Sequence, residues 1–402
     1  MRVLMVTPHF YPSVGGVETV CEILARGLTG RGIDVHLLTD QRLGDAAEIT
    51  GYPVTRNATP AEKRRLVRWA GVVHIHGPGI RLWPYCVLRR KPIVWTHHGL
   101  NASCLANSGW HAGKYCDHRW WRCLWLTCCE RGLGYVVRHW PRWLLRRYAL
   151  RFAARNVCVS GWVAARARVP RSVVIWNPVS VGDYAAADGV RTAGRFAFVG
   201  RLIEEKGCDV LIRALALCHQ RGHRYTLDVY GDGPERSRLE GLVQAERLGA
   251  AVAFHGTVRG EALRSAFRQT GVLVFPSVCE EALGMVVVEA MAAGTPLIVS
   301  RRGGAAEAAG GCALLFDNGD YSQLAEQMIR LSEDGDLYES LARRCAEQAR
   351  LFDADRIVDA HVALYREVLA DRSQTPEAYA AGGTGNHRAH PEPGVTATAG
   401  RC

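Results

Sequence analysis

Two hydrophobic rhythms alternate along this chain. Short apolar runs, VLMVT (3–7) and VHLLT (35–39), flank Glu18–Gly30, where Val20, Ile23, Leu24 and Leu28 recur at helical spacing. Strand, helix, strand is a βαβ unit, and a crossover helix of that length joins parallel strands. VVHIHG (72–77) and PIVWTHHG (92–99) continue the series. A second series begins at FAFVG (196–200). In CDVLIRALALCHQRG (208–222), Val210, Leu211, Ala214, Leu215 and Cys218 share one side of a helix that stops at Gly222. YTLDVYG (225–231), VAFHG (252–256), GVLVFPS (271–277) and TPLIVS (295–300) read as strands with helical segments between them.

Strict βα alternation in two series predicts an α/β protein of two tandem, doubly wound, Rossmann-like domains facing a cleft. We place the first domain at 1–182 and the second at 183–371, with the last helix crossing back to the first. The join falls in the Gly/Ala/Asp-rich stretch 180–194, which reads as a linker. Residues 372–402 hold few large apolar side chains and read as a disordered tail.

Composition narrows the partners. The chain has 402 residues, long enough for two cores, and a net charge of +11 that favours an anionic partner. The opening apolar run is too short for a secretory signal, and no stretch approaches the roughly 18 apolar residues of a spanning helix. A cytoplasmic protein is expected, and its 14 cysteines are therefore expected to be reduced.

In open α/β sheets ligands bind beyond the carboxyl ends of the strands. The loop after the first strand holds Gly15 and Gly16, which let backbone N–H groups approach a phosphate or simply make a turn. After FAFV comes GRLIEEKG, where Arg201 and Lys206 flank a strand-to-helix turn. Such a pair suits a diphosphate, or stands as solvated charge beside Glu204 and Glu205. GDGP (231–234) reads as a plain turn. In VCEEALGMVVVEAMAAG (278–294) the helix starts near Leu283, Gly284 and Met285, with Glu281 before it and Glu289 inside it. A helix N-terminus between two carboxylates suits a ligand with phosphates in the middle and hydroxyls at both ends.

Glu281 to Glu289 (E-x-x-G-x-x-x-x-E-A), G-R-L-x-x-x-K-G upstream, the N-terminal Gly-Gly and Gly303-Gly304-x-x-Glu307 downstream form one set. Together they resemble the large family of retaining nucleotide-sugar glycosyltransferases with two Rossmann-like domains (the GT-B architecture, glycosyltransferase family 4 / group 1 type). The likeness spans roughly residues 1–370. It implies transfer of a sugar from a UDP- or GDP-sugar to a hydroxyl, with retention and without a metal or other cofactor. By this resemblance Arg201 and Lys206 hold the diphosphate, and Gly15 and Gly16 approach it from the other domain. Glu281 meets donor-sugar hydroxyls, backbone N–H groups around Leu283, Gly284 and Met285 face sugar and phosphate, and Glu289 binds the ribose. His98 stands at the donor sugar, with His97 a rival for that place. Leu283 departs from the Phe the family often carries. The acceptor implied is a sugar, a lipid-linked sugar or a small molecule. A nucleotide-sugar epimerase or hydrolase on the same scaffold is the alternative, though such enzymes need further carboxylates in the cleft. A basic, Cys/His-rich nucleic-acid-binding protein is a second alternative that gives the Glu281–Glu289 pair no use, and no nucleic-acid partner is expected.

Residues 100–155 depart from the pattern. Cys104, Cys116, Cys123, Cys128 and Cys129, with His111 and His118, lack the C-x-x-C spacing of common zinc sites and read as reduced structural cysteines rather than a metal site. Six tryptophans lie in the same stretch, and no acidic residue occurs from Arg131 to Gly182. A helix starting at Pro141 puts Leu144, Leu145, Tyr148 and Phe152 on one arc beside Arg142, Arg146, Arg147 and Arg151. An aromatic acceptor pocket and peripheral membrane contact through 131–155 both fit that arc.

Overall fold

A computed structural model describes residues 1–11, 15–42, 51–105, 110–111, 114–115, 120–184 and 192–374. The first half runs β1 (Arg2–Thr7), α1 (Gly16–Gly30), β2 (Asp34–Thr39), β3 (Val54–Arg56), α2 (Pro60–Trp69), β4 (Val72–His76), α3 (Trp83–Leu88) and β5 (Ile93–His97). It continues with a small hairpin, β6 (Trp110–His111) and β7 (Lys114–Tyr115), then α4 (Trp120–Arg131), α5 (Leu133–Ala149), β8 (Arg155–Cys158), α6 (Gly161–Ala167) and β9 (Ser172–Val174). The second half runs β10 (Arg195–Val199), α7 (Cys208–Gln220), β11 (Thr226–Tyr230), α8 (Arg236–Ala245), β12 (Val252–Gly256), α9 (Gly260–Gln269), β13 (Val272–Phe275), α10 (Met285–Ala292), β14 (Leu297–Ser300), α11 (Gly304–Ala309) and β15 (Ala313–Phe316). Three helices close it: α12 (Tyr321–Glu333), α13 (Gly335–Ala349) and α14 (Ala354–Gln374).

The strands form two parallel sheets, ordered β3-β2-β1-β4-β5-β8-β9 and β12-β11-β10-β13-β14-β15. Helices cover both faces, so the central strands are largely apolar, and β4 and β5 are buried at every residue, their histidines and threonine included. The order reverses between β1 and β4 in one sheet and between β10 and β13 in the other. Each reversal opens a crevice beyond the strand ends, and the loops predicted to carry chemistry leave β1, β5, β10 and β13. The linker expected at 180–194 is described only at its two ends, and the tail from 375 onward lies outside the described residues. Among the described residues no helix is long and apolar enough to cross a membrane.

The helix expected to begin at Pro141 begins instead at Leu133, with Pro141 in its interior. Proline leaves the carbonyl four residues back without a donor. That carbonyl belongs to Val137, which is 64% exposed, so water can serve it. The outer arc of this helix is also solvent-exposed rather than packed in a core, with Leu144, Leu145 and Tyr148 each about half exposed.

Two devices hold the halves together. The first is α14, which returns to the first domain and lies along α1. Val358, Val362 and Tyr365 enter the core formed by Met5, Cys21 and Leu24. A Cβ at Gly27 would stand 2.5 Å from Val358, so glycine is what lets the helices approach. Arg31 pairs with Asp355 and Asp359, and Arg155 with Glu367 and Asp371. Inside the contact Tyr365 Oη meets His74 Nδ1 at 2.6 Å, and His74 Nε2 meets Thr96 Oγ1 at 2.7 Å. The His74 and His76 rings lie 4.0 Å apart, and His76 Nδ1 reaches His98 Nε2 at 3.0 Å. Burial depresses all of these histidines. It pushes His361 to about 4, and His98 to about 3 with the charges of His97 and His361 adding to the effect. His74 and His76 fall well below the ordinary value, and His97 to about 4.

The second device is a carboxylate of the second half on a helix of the first. Glu307 Oε1 accepts from Gly161 N at 2.7 Å, and Oε2 accepts from Trp162 N at 2.6 Å. These are the first two N–H groups of α6, orphaned by the helix geometry and favourable for an anion. Ser160 caps the same helix through Val163 N and donates its hydroxyl to Ala282 O at 2.6 Å. Arg166 adds an ion pair to Glu280 at 3.4 Å. Gly304 leaves room for both contacts: a Cβ there would lie 2.0 Å from Ala282 O in its own half and 2.8 Å from Ser160 Oγ in the other.

Two outcomes follow from these contacts. A histidine with a depressed folded pKa stays neutral while the unfolded chain takes up a proton. Its contribution is therefore complete above about pH 6.5 and is lost as pH falls toward the folded value. Glu289, pushed up to about 7 by burial, acts oppositely over the same range, but as one group against five. Folding stability, and with it the melting temperature, should therefore fall from pH 7 to pH 5; a flat profile would contradict the buried neutral cluster. Gly304→Ala should push the halves apart at a cost of ~1–3 kcal/mol. Small-angle scattering should show a larger radius of gyration, and an unchanged radius and melting temperature would contradict the close approach.

Candidate active site

The site grows from the crossing of the loops after β10 and β13. After β10 the chain makes a short 3-10 turn, Glu204–Lys206, and enters α7 through Gly207 at φ +65°. A Cβ at Gly207 would lie 2.2 Å from Pro276 O, so the two loops touch only because that residue is glycine. This contact brings Lys206 to Glu281. Lys206 Nζ donates to Glu281 Oε1 and sits 5.7 Å from the centre of the Phe275 ring. Ser277 Oγ donates to the same carboxylate oxygen at 3.0 Å. Burial alone lowers the Lys206 pKa, but the Glu281 carboxylate more than offsets this and holds the ammonium above its ordinary value. Arg201 stands exposed beside the pair, its charge felt at Lys206, and among the described residues it forms no ion pair.

The loop 231–234, which reads as a plain turn, does more than turn. A Cβ at Gly231 would lie 1.8 Å from Gly200 O, and one at Gly233 would lie 2.3 Å from Leu202 O. Leu202 N donates to Asp232 O at 3.0 Å. The GDGP stretch thus props the loop that carries Arg201 from behind.

Gly284, at φ +77°, starts α10, and no side chain caps the helix. A Cβ at Gly284 would crowd Phe275 and Ala305 at 3.1 Å. The side chain of Leu283 is buried in the core, so what it presents outward is backbone. Across the cleft, a Cβ on Gly16 would stand 3.4 Å from Met285 Cγ. The Gly-Gly loop of the first domain and the N-terminus of α10 therefore meet. Gly15 is covered differently: the Glu18 side chain lies over it, with Oε2 2.6 Å from where a Cβ would be.

Glu289 is not with the Lys206–Glu281 pair. It shares a hydrogen bond with the Tyr184 phenol, from the short turn Val181–Tyr184, and burial raises its pKa to about 7. Burial, then the Glu289 charge, pushes the Tyr184 phenol upward as well. The two histidines also part company. His97 is a buried strand residue whose Nε2 meets Asn156 Oδ1 at 3.0 Å, and Asn156 is itself tied to Leu150 O and Pro170 O. His98 lies just past the strand, partly exposed, with its Nε2 on His76 Nδ1 and the Asn177 side chain beside its ring.

Of the cysteines in the insert, Cys104 and Cys123 lie 3.5 Å apart in a small cluster with Leu100 and Leu126. Cys116, His118 and the His111 side chain lie outside the described residues. Among the described residues no three His, Cys, Asp or Glu side chains converge as a metal site. Ser277, Tyr184, His76 and Ser160 take part in the cleft without any local motif marking them. Glu307 is marked by its spacing from Gly303-Gly304, but that spacing says nothing of its partner on α6.

Comparison with known proteins closes the case for the family. Residues 191–352 match the family described as glycosyl transferases group 1, and residues 14–182 match glycosyltransferase family 4. A phosphatidyl-myo-inositol mannosyltransferase of Mycobacterium leprae is 26% identical over 93% of this chain and 99% of its own length. A 2-deoxystreptamine glucosyltransferase of Streptomyces kanamyceticus is 32% identical over 48% of this chain and 54% of its own. Among solved structures, a sucrose-phosphate synthase of Thermosynechococcus elongatus superposes with a TM-score of 0.71 at 20% identity, covering 92% of this chain and 99% of the other. Anabaena HepE in complex with UDP and glucose gives 0.67 at 18% identity, over 91% and 99%. Two parallel-sheet domains of GT-B architecture, matched half by half, make this chain a glycosyltransferase of the group 1 / family 4 type.

Proposed function

We propose that the chain transfers a sugar from a nucleoside-diphosphate donor to a hydroxyl acceptor, with retention at the anomeric carbon and without a metal. The observation that carries this reading is the Lys206–Glu281 pair with Arg201 beside it, at the switch point of the second sheet. The bond from the anomeric carbon to the diphosphate oxygen breaks, and negative charge grows on the leaving group. Arg201 and Lys206 stabilise that charge, along with the uncapped N-terminus of α10 and the N–H groups near Gly15 and Gly16. The acceptor oxygen bonds to the same face of the sugar, and its proton passes to the departing diphosphate. Two fixed cations supply the compensating charge, and no Asp-x-Asp follows a strand in this sequence.

Glu281 accepts hydrogen bonds from donor-sugar hydroxyls while keeping Lys206 aimed. His98 is neutral at physiological pH, so its role is a hydrogen bond to the sugar and not proton transfer. Its partial exposure and bracing by His76 favour it over His97, which Asn156 holds in the sheet. Glu289 binds the ribose hydroxyls once Tyr184 releases it. The UDP in the HepE structure supports a UDP-sugar donor over a GDP-sugar here. The relatives' names, a phosphatidyl-myo-inositol mannosyltransferase and a 2-deoxystreptamine glucosyltransferase, support a hydroxylated acceptor, lipid-linked or small.

The two members of the pair should separate in a titration. Lys206→Ala should weaken binding of UDP or GDP itself by ~10–100-fold, the worth of a charge-assisted phosphate contact. Glu281→Ala should weaken nucleotide binding less than Lys206→Ala does and cut turnover by orders of magnitude. Full turnover in both variants would overturn the assignment. Glu289 should appear in the pH profile: donor KM should fall as pH rises through about 7, where the carboxylate forms. Glu289→Gln should flatten that profile, and an unchanged profile would remove Glu289 from the donor site.

A further inference from the structure

The helical hairpin of α4 and α5 carries more exposed large apolar side chains than the rest of the described surface. On α5, Leu133, Val137, Leu144 and Tyr148 follow one another at spacings of four, seven and four, which puts them on one stripe of the helix; each is about half exposed or more. On α4, Trp121 and Trp125 lie one turn apart, at 53% and 62% exposure. The hairpin is nonetheless well built. Trp143 is buried, Trp140 stacks on it at 4.9 Å, and Trp120 reaches Trp140 at 6.1 Å. The exposed stripes are thus the outer faces of an ordered element.

Charge says what such a face meets. Residues 120–149 carry six arginines, no lysine and a single carboxylate, Glu130. Arg138 and Arg142 are exposed on α5 itself. We propose that this hairpin docks on the surface of an anionic lipid bilayer. Its aliphatic and indole side chains enter the headgroup boundary and its arginines pair with acidic headgroups. A second copy of the chain would bring two arginine-rich faces together without a counter-charge. A nucleic acid would meet the arginines but leave Leu133, Val137 and Leu144 in water.

Docking would bear on the cleft directly. In the last turns of α5, Arg146 donates to Asn101 O at 3.2 Å and Arg147 to Ala102 O at 2.6 Å. Those carbonyls belong to the loop that follows His98. The hairpin on the membrane and the histidine at the mouth of the cleft are therefore one mechanical piece. Taken with the proposed transfer reaction, this points to an acceptor whose hydroxyl is presented from the bilayer by a lipid.

The test uses the full chain and two vesicle types, phosphatidylcholine alone and phosphatidylcholine mixed with phosphatidylglycerol. The protein should sediment with the mixed vesicles, remain in solution with the neutral ones, and dissociate as salt rises. The double variant Val137→Glu/Leu144→Glu alters only exposed positions and should keep its melting temperature while partitioning falls roughly tenfold or more. Lys206→Ala should bind vesicles as the parent does, so loss of docking and loss of transfer are read separately. No sedimentation with either vesicle, or equal binding by the double variant, would overturn the proposal. So would binding to an oligonucleotide in preference to mixed vesicles, or a dimer that the double variant abolishes.

Discussion

A single carboxylate closes the cleft. Glu307 belongs to the second domain, and both of its oxygens bind the first turn of α6 in the first. The rest depends on that junction, because every loop proposed to carry chemistry leaves the carboxyl end of a parallel strand. Parallel sheets gather their loops on one edge, and two such edges make a site only when they face each other closely. Gly304 supplies the closeness and Ser160 the register. On the far side α14 straps the halves together over a cluster of neutral, buried histidines. The cleft histidine His98 is the last member of that cluster, so the strap and the site are joined by a hydrogen bond at either end of the His74–His76 ring contact.

Within the cleft, charges are arranged in opposed pairs. Lys206 is kept cationic by Glu281, although burial works against it. In the reaction proposed above, a diphosphate arriving there meets an ammonium already aimed and desolvated, which lowers the reorganisation the leaving group requires. Glu289 is the opposite case, a carboxylate kept near its titration point by burial and held by Tyr184. Its partner lies in the segment joining the two domains. The donor binding proposed at Glu289 and the geometry of that joint would thereby be linked through one phenol.

Much of this was legible in the sequence, and the reasons differ by element. Nine of the parallel strands announce themselves as short apolar runs that fall within a residue or two of their observed bounds, whereas β3, β8, β9 and β15 do not stand out that way. Glu281 and Glu289 are eight residues apart on one helix entry, so local spacing alone showed that they bracket its N-terminus. Contacts between distant segments were not legible. Nothing near Glu307 names Gly161, and nothing near His74 names Tyr365, because these pairs exist only once α14 and α6 are in place. Pro141 misled because its cost depends on whether Val137 faces water, a tertiary fact. GDGP misled in the other direction: glycine in a turn needs no explanation until the chain packed against it is seen.

The most direct test of the account is a crystal structure of the protein with UDP bound. The β-phosphate should lie within hydrogen-bond distance, roughly 2.7–3.2 Å, of both Lys206 Nζ and the Arg201 guanidinium, with the ribose at Glu289 and Tyr184 displaced. A nucleotide bound elsewhere, or bound in the cleft with Lys206 contacting Glu281 alone, would contradict it.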